Sequence, residues 1–289
     1  MREKRGILGA LAARGAGVVR WEAMFRFFAN LRKYRRYAIR SARAELQSEV
    51  ADSYLNWLWW VIEPLCFMFV YWFVFGVLFK AREPYFASFI FAGLSLWEFF
   101  SRTVSGSVTL IAHNRDLVRK VYLPKYVLLF SRSLVNLFKL AISLALTFCL
   151  MAIQRVPLSP CLPLLLPAIA VLYLVSFGIG LILMHFGVCF SDLANLVRIG
   201  MRMLFFLSGV FYNIHTRMAA FPRIRFWLLR VNPAAFCIDE ARKALFFDPL
   251  ATLLPSWQGL AWWTMLGAAL CAVGVWLIHR NENTYAKMI

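Results

Sequence analysis

Acidic residues are scarce in this sequence. It carries 14 Asp and Glu against 32 Lys and Arg, and only 16% of its 289 residues are charged while 62% are hydrophobic. Soluble domains carry about 25% charged residues and about 45–50% apolar ones, so this balance excludes an ordinary soluble fold, and a disordered chain still more firmly. The four histidines (His113, His185, His215 and His279) fall in four separate segments, which excludes HExxH or any other metal-ligand spacing. Cys66, Cys149, Cys161, Cys189, Cys237 and Cys271 are scattered through apolar stretches without a CxxC pair. They read as small buried hydrophobes and not as a disulfide or metal framework. There is no G-x-x-x-x-G-K-[ST] motif and no Gly-Lys dipeptide, so the chain has no loop of the kind that cradles nucleotide phosphates. Any ATP-driven role places hydrolysis on another chain. No G-x-S-x-G is present, which leaves no nucleophile of that kind to read. Residues 6–19 are mildly apolar but interrupted by Arg14 and by glycines, so a cleaved signal peptide is not expected. No internal repeat of the inverted-transporter kind is visible.

What the sequence has is long apolar runs. Six are long enough to cross a bilayer, which takes about 20 residues per helix: about Trp57–Phe79, Phe86–Ala112, Tyr126–Ile153, Cys161–Cys189, Leu193–Tyr212 and Leu260–His279. The predicted fold is therefore an all-α polytopic membrane protein with residues 1–56 as a basic head and 57–289 as the transmembrane domain. With the N-terminus inside, 20 Lys and Arg fall on the inner side, counting Arg198 and Arg202 near the inner end of the fifth span, and nine on the outer, while Arg102, Arg132 and Lys139 lie deeper within spans. The positive-inside rule then predicts both termini in the cytoplasm and a multi-pass protein of the cytoplasmic membrane. The net charge of +18 sits mainly at the ends of apolar runs, which points to anionic lipid headgroups as partner and not to nucleic acid.

In the head, Ile39, Ala42, Leu46, Val50, Ser53 and Trp57 recur at spacings of three and four, behind turns crowded with Arg32, Lys33, Arg35, Arg36, Arg40 and Arg43. This predicts a basic amphipathic helix lying along the inner membrane surface and running into the first span. A solvated charged helix is the alternative, although Trp21, Phe25, Phe27, Phe28, Tyr34 and Tyr37 would then be left in water. The stretch from Asn213 to Gln258 is too apolar for a solvated loop and too broken for a span. Two short outer re-entrant helices fit it, as does a surface-lying amphipathic hairpin. Asn232-Pro233 has the residues of a helix start, and Asp239 and Lys243 are spaced for an i,i+4 pair.

Ionisable groups within spans are costly in lipid and so informative. Ser95, Glu98, Arg102, Ser105 and Thr109 form a polar stripe on the second span, and Arg132, Asn136, Lys139 and Ser143 form one on the third. The stripes either hold helices together, with Glu98–Arg102 as an i,i+4 pair, or line a polar path. Glu63, before Pro64 in the first span, is the expected counter-ion for Lys139. Arg132 and Lys139, two turns apart and helped by Arg102, would offer a lipid phosphate a polar way in, unless Glu63 and Glu98 neutralise them. Ser176-x-x-x-Gly180, with Gly178, is a small-residue packing face. Trp57, Trp59 and Trp60 read as an interfacial aromatic belt or, alternatively, as a sugar-stacking surface.

Several motifs resemble the permease subunits of ABC-2-type exporters of cell-surface polysaccharides, including O-antigen and teichoic acid exporters. They are Leu58-Trp59-Trp60-Val61-Ile62-Glu63-Pro64-Leu65, continuing through Val70-Tyr71 to Phe75-Gly76; Ala92-Gly93-Leu94 with Trp97, Phe99 and Phe100; Asn114-Arg115-Asp116-Leu117-Val118-Arg119-Lys120-Val121-Tyr122-Leu123-Pro124; and Ser208-Gly209-Val210-Phe211, then Asn232-Pro233 and Arg242. The likeness spans about residues 50–289 in order. It implies a six-span half-transporter that homodimerises and binds two cytoplasmic ATPase subunits, which would hold the ATP and Mg; the permease itself has no cofactor and no metal. His113, Asn114, Arg115, Asp116, Leu117, Val118, Arg119 and Lys120 would form the segment that couples to the ATPase. The outer re-entrant helices, with Asn232, Pro233 and Arg242, would shape the exit for a lipid-linked glycan. Two other readings remain open at this point: an ABC-2 exporter of a drug or peptide, and a membrane-embedded lipid or glycosyl transferase, which would need a carboxylate or His cluster at one membrane face.

Overall fold

The computed structural model describes residues 2–51, 54–80, 83–120, 123–157, 159–190, 192–246 and 256–282, with side chains from Arg26 onward. Ser53, Arg82, Val121, Tyr122, Ser191 and residues 247–255 lie outside these. Among the described residues the elements are helical, with no β-strand, as the apolar periodicity predicts.

The first helix, α1 (Arg2–Val50), is 49 residues long. Its basic residues Arg32, Lys33, Arg35, Arg36, Arg40 and Arg43 are exposed, while Phe27, Ala38, Ala42 and Val50 are buried. The amphipathic face is thus real, but its register differs from the expected one: Ile39 and Trp57 are exposed. The helix packs on α6 (Lys125–Ile153), where Ser131 Oγ donates to the Ala38 carbonyl at 3.1 Å and Asn30 Nδ2 to the Tyr126 hydroxyl at 2.7 Å. Nor does α1 run into the first span as one helix. It stops at Val50, and Asn56, with φ of 46°, starts a separate 3₁₀ turn over Asn56–Leu58.

That turn leads into α2 (Trp59–Tyr71), which contains Pro64 and relaxes into a π-helical stretch over Trp72–Leu78. Next come α3 (Phe86–Val108), the one-turn α4 (Leu110–His113) and α5 (Arg115–Lys120), then α6. A 3₁₀ turn at Leu162–Leu164 opens α7 (Leu165–Cys189), followed by α8 (Leu193–Leu207). Three short helices follow: α9 (Ile214–Arg217), α10 (Pro222–Val231) and α11 (Pro233–Leu245). The last described helix is α12 (Trp257–Arg280).

Four of these segments are long and apolar enough to span a membrane: Asn56–Leu78, Lys125–Ile153, Leu162–Cys189 and Trp257–Arg280. The other two expected spans are shorter than their apolar runs. The second stops at Val108, where Thr109 leaves helical geometry, and the fifth stops at Leu207. There Gly209, with φ of 68°, turns the chain; a Cβ at that position would lie 2.6 Å from Ile214. The backbone itself therefore ends the fifth helix, although the apolar run continues to Tyr212.

The core is built around α3, whose Phe89, Ile90, Phe91, Leu96, Phe99 and Phe100 are buried. Behind it α7 and α12 lie side by side, held close by small residues. A Cβ on Gly178 would come within 2.9 Å of the Cys271 nitrogen, and one on Gly274 within 2.5 Å of Leu181 Cβ. Gly178 thus faces α12, and Gly180 approaches Leu129 of α6, so the Ser176–Gly180 segment packs helices as expected. The matching glycines of α12, Gly267 and Gly274, complete the close approach from the other side.

Candidate functional site

A cavity of about 350 Å³ lies among α2, α3, α6 and α8. The predicted polar stripe of α3 lines it with Ser95, Glu98 and Ser105, joined by Ser101, and Ser143 comes from α6. Rings from Phe67, Tyr71, Trp97 and Phe205 form its apolar walls, with Trp97 and Phe205 centred 5.4 Å apart. Arg198 and Arg202, one turn apart on α8, also line it. Sequence reading counted these two only as flanking positive charge. Their i,i+4 spacing on the polar side of a strongly amphipathic helix was the signal that could have found them.

Next to it a smaller cleft brings together Glu63, Glu98, Arg102, Asn136 and Lys139, with Trp60 and Ser143. Five of the six predicted path residues therefore meet; Arg132 does not line the cleft. The charges are paired, one pair as the spacing suggested and two with partners it did not suggest. Arg102 Nη2 lies 2.6 Å from Glu98 Oε2, the expected i,i+4 pair, and 3.4 Å from Glu63 Oε1. Lys139 instead meets Glu49 Oε2 at 2.6 Å, and Arg132 pairs with Glu45. Glu63 is thus not the counter-ion of Lys139. The reason is that α1 lies along α6 and presents two carboxylates one turn apart. Glu45 and Glu49 went unread because the surrounding head is so basic. Asn136 Nδ2 donates to Thr103 Oγ1 at 3.1 Å, joining α6 to α3 in a buried bond. Trp60 packs edge-on against Phe138 at 5.5 Å, while Trp57 and Trp59 are exposed.

The segment 113–120 forms α4's last residue, a break at Asn114, and α5. Asn114 Nδ2 donates to the Leu110 carbonyl at 2.8 Å and His113 Nδ1 lies 3.0 Å from the Thr109 carbonyl. On α5, Val118 is buried and Leu117 half-buried, whereas Arg115, Asp116, Arg119 and Lys120 are exposed. Asp116 sits in the first turn and Arg119 and Lys120 in the last, each matching the helix dipole. The result is a short helix anchored on one side and charged on the other.

The opposite end of the bundle carries α9–α11. Asn232 caps α11, its Oδ1 accepting from Ala235 N at 3.2 Å, and Pro233 holds the first helical position. Asn232 Nδ2 also donates to Ser208 Oγ at 2.9 Å. Arg242 is buried and staples three segments: its guanidinium donates to the Gly209 and Val210 carbonyls at 2.6 Å each and to the Phe89 carbonyl at 3.1 Å. It also sits 3.5 Å from the centre of the Phe89 ring. Burial pushes Arg242 down to about 9, against the opposing pull of Asp239 and Glu83, so it remains a cation at neutral pH. A Cβ on Gly93 would lie 2.5 Å from Arg242 Nη2, which is why that position of α3 has no side chain.

Beside it, Asp239 Oδ2 meets Lys243 Nζ at 2.8 Å, the predicted i,i+4 pair, and His215 Nε2 at 2.9 Å. Lys243 Nζ also meets Glu240 Oε1 at 2.8 Å. Burial raises the Asp239 carboxyl, but the His215 hydrogen bond and the Lys243 charge outweigh it and hold it below its ordinary 3.8. Burial likewise depresses Lys243, and the two carboxylates more than reverse that. A His and carboxylate cluster was not visible in the sequence, because His215 is 24 residues from Asp239. Its members are committed to one another and form no group that could hold a metal among the described residues.

Residues 39–246 match the family model described as "ABC-2 type transporter". The chain is 31% identical over 228 residues to the O-antigen export system permease protein RfbA of Myxococcus xanthus, covering 78% of this chain and 85% of that one. A protein of the same name from Klebsiella pneumoniae is 22% identical over 85% of this chain and 92% of its own length. The polysialic acid transport protein KpsM of Escherichia coli is 25% identical over 70% of this chain and 78% of that protein.

Proposed function

This chain belongs to the ABC-2 type transporter family, and on that premise we propose that it is the membrane subunit of an ATP-driven exporter of a cell-surface polysaccharide. The observation that carries this reading is the likeness to O-antigen and polysialic acid export permeases along most of the chain. A drug or peptide cargo has no such support. The cargo is a glycan on a lipid carrier of O-antigen, capsule or teichoic acid type, and the membrane is the cytoplasmic one, with both termini inside.

The permease has six spans, α3 and α8 being the two that are less apolar or shorter. This reading is supported by the central, buried position of α3 and by the apolar outer surface of α8, with Leu196, Ile199, Met203 and Phe206 exposed. The working unit is a homodimer on two ATPase subunits, which bind ATP and Mg. The exposed apolar surface of the first span supports the dimer, with Phe67 and Phe69 on α2 and Phe73 on the π-helical stretch after it. Segment 113–120, which lies between α3 and α6 along the chain, couples ATPase closure to them. The cavity among α2, α3, α6 and α8 is where a polar headgroup meets the bundle. Arg132 and Lys139, tied to α1 through Glu45 and Glu49, hold the head against α6. The outer helices α10 and α11 shape the exit.

The test is reconstitution in liposomes. Alone, the chain hydrolyses no ATP; with its ATPase it hydrolyses ATP faster when the lipid-linked glycan is present. Robust hydrolysis by the chain alone, or a rate indifferent to the glycan, overturns the proposal.

A further inference from the structure

A second cavity, about 290 Å³, lies at the end of the bundle away from segment 113–120, enclosed by α9, α10, α11 and the start of α12. Its lining is of two kinds. Phe226, Phe236, Trp262 and Trp263 give aromatic surface; His215, Arg230, Asp239, Glu240, Lys243 and Gln258 give polar groups. We propose that this cavity is a saccharide-binding site, taking one sugar ring of the exported chain as it leaves. The inference rests on the polysaccharide reading of the cargo and adds to it a place where the cargo is held.

Three observations point to a sugar over other occupants. The volume lies at the small end of ligand pockets, which run from about 300 Å³ upward, so it admits one ring and little more. The walls carry both rings and hydrogen-bonding groups, which is what a sugar presents in return: an apolar C–H face to lie on an aromatic ring and hydroxyls around its edge. Trp262 is 41% exposed and shares the Arg230 guanidinium with Phe226, which lies 5.2 Å from each ring centre. The guanidinium thus lies over one face of each ring and adds its fork of donors to the same wall.

The charges at the floor argue against the alternatives. Lys243 and His215 are met by Asp239, and Lys243 also by Glu240. A phosphate would therefore face two buried carboxylates, and an acyl chain would face a charged network. A neutral, hydroxyl-rich ligand meets neither penalty.

The wall is rigid where it counts. Trp263 Nε1 donates to the Leu229 carbonyl at 3.1 Å, tying α12 to α10. Ser256 Oγ caps α12 through Gly259 N at 3.2 Å, and Glu240 accepts from Ser256 N at 3.2 Å. A Cβ on Gly259 would run into the Phe236 ring at 2.4 Å, so the ring sits flush against the helix start.

The test uses the full chain in phosphatidylcholine nanodiscs and saturation-transfer difference NMR with methyl glycosides of glucose, galactose, mannose and N-acetylglucosamine at millimolar concentration. We expect saturable transfer to at least one glycoside. Apparent affinity should fall at least tenfold in Trp262→Ala and in Phe226→Ala, both at partly exposed rings. Trp227→Ala, on α10 but outside the cavity, should leave it unchanged. No transfer to any glycoside, transfer unaffected by Trp262→Ala, or transfer to glycerol 3-phosphate in place of the glycosides would overturn the proposal. The same wild-type chain is scored in parallel for polymer display in a strain lacking its gene. Display restored without glycoside binding refutes the site alone; glycoside binding without display refutes the cargo reading alone.

Discussion

Replacing Arg242 with Met should destabilise the protein sharply, because one guanidinium holds α11, the Gly209 turn and the start of α3 together. Its two shortest bonds, 2.6 Å each to the Gly209 and Val210 carbonyls, are charge-assisted and buried. Such bonds contribute about 1.5–3 kcal/mol apiece, and each loss strands a carbonyl away from water. Two of them give about 3–6 kcal/mol, and since single substitutions above about 4–5 kcal/mol are exceptional, a loss of about 4 kcal/mol is expected. At about 2–4 °C per kcal/mol for a chain near this size, Tm in detergent should fall by about 10 °C or more. Lys in its place should not rescue, since a point charge lacks the planar fork that reaches both carbonyls. The neighbouring Gly93 supplies an internal check. Gly93→Ala should destabilise the wild type, because the new Cβ would sit 2.5 Å from Nη2, and should cost much less in the Arg242→Met background. Heating curves read by tryptophan fluorescence and by surviving monodisperse protein measure all four members of this cycle. Additive losses, or an Arg242→Met protein that melts with the wild type, would refute the staple.

Charge reversal at Arg115 or Asp116 should reduce recovery of the partner ATPase, or uncouple its hydrolysis from export, with membrane insertion unchanged; pull-down and export assays on the same cells check it. Lys139→Met alone should lower export by leaving Glu49 without its partner, and Lys139→Met with Glu49→Gln should recover most of it, whereas Lys139→Met with Glu63→Gln should not; surface polymer per cell separates the three. The Asp239 carboxyl lies below its ordinary 3.8 and Lys243 above its ordinary 10.5. The stability they contribute is therefore full between those values, lost on the acid side as pH falls through the lowered Asp239 value, and lost on the alkaline side as pH rises through the raised Lys243 value. In Asp239→Asn, Tm should drop on the plateau and its fall below pH about 4 should become shallower. Asn232→Ala removes the cap of α11 and should cost about 1 kcal/mol, with a further loss from the buried bond to Ser208.

Much of the architecture could be read before any coordinates. Hydropathy runs locate the long helices because a lipid-facing helix must be apolar along its whole length. Local rules, such as Asn232 before Pro233, Asp239 four residues before Lys243, and Glu98 four before Arg102, held because their partners lie within one turn. What sequence reading missed depends on distance along the chain. Nothing local says that Glu49 lies against Lys139, ninety residues on, or that His215 reaches Asp239. Gly209 ends α8 through a left-handed turn inside a run that hydropathy alone extends to Tyr212. Arg242 was named from resemblance alone; its reason, the carbonyls of Phe89, Gly209 and Val210 in two segments distant from its own helix, needs the fold.

Export of a polysaccharide by this chain is measured most directly as surface display in its own host. Deleting the gene while leaving the neighbouring genes intact should abolish the surface polymer and leave lipid-linked glycan accumulating inside, and restoring the wild-type chain should reverse both. A deletion strain with normal surface polymer and no internal accumulation would contradict it.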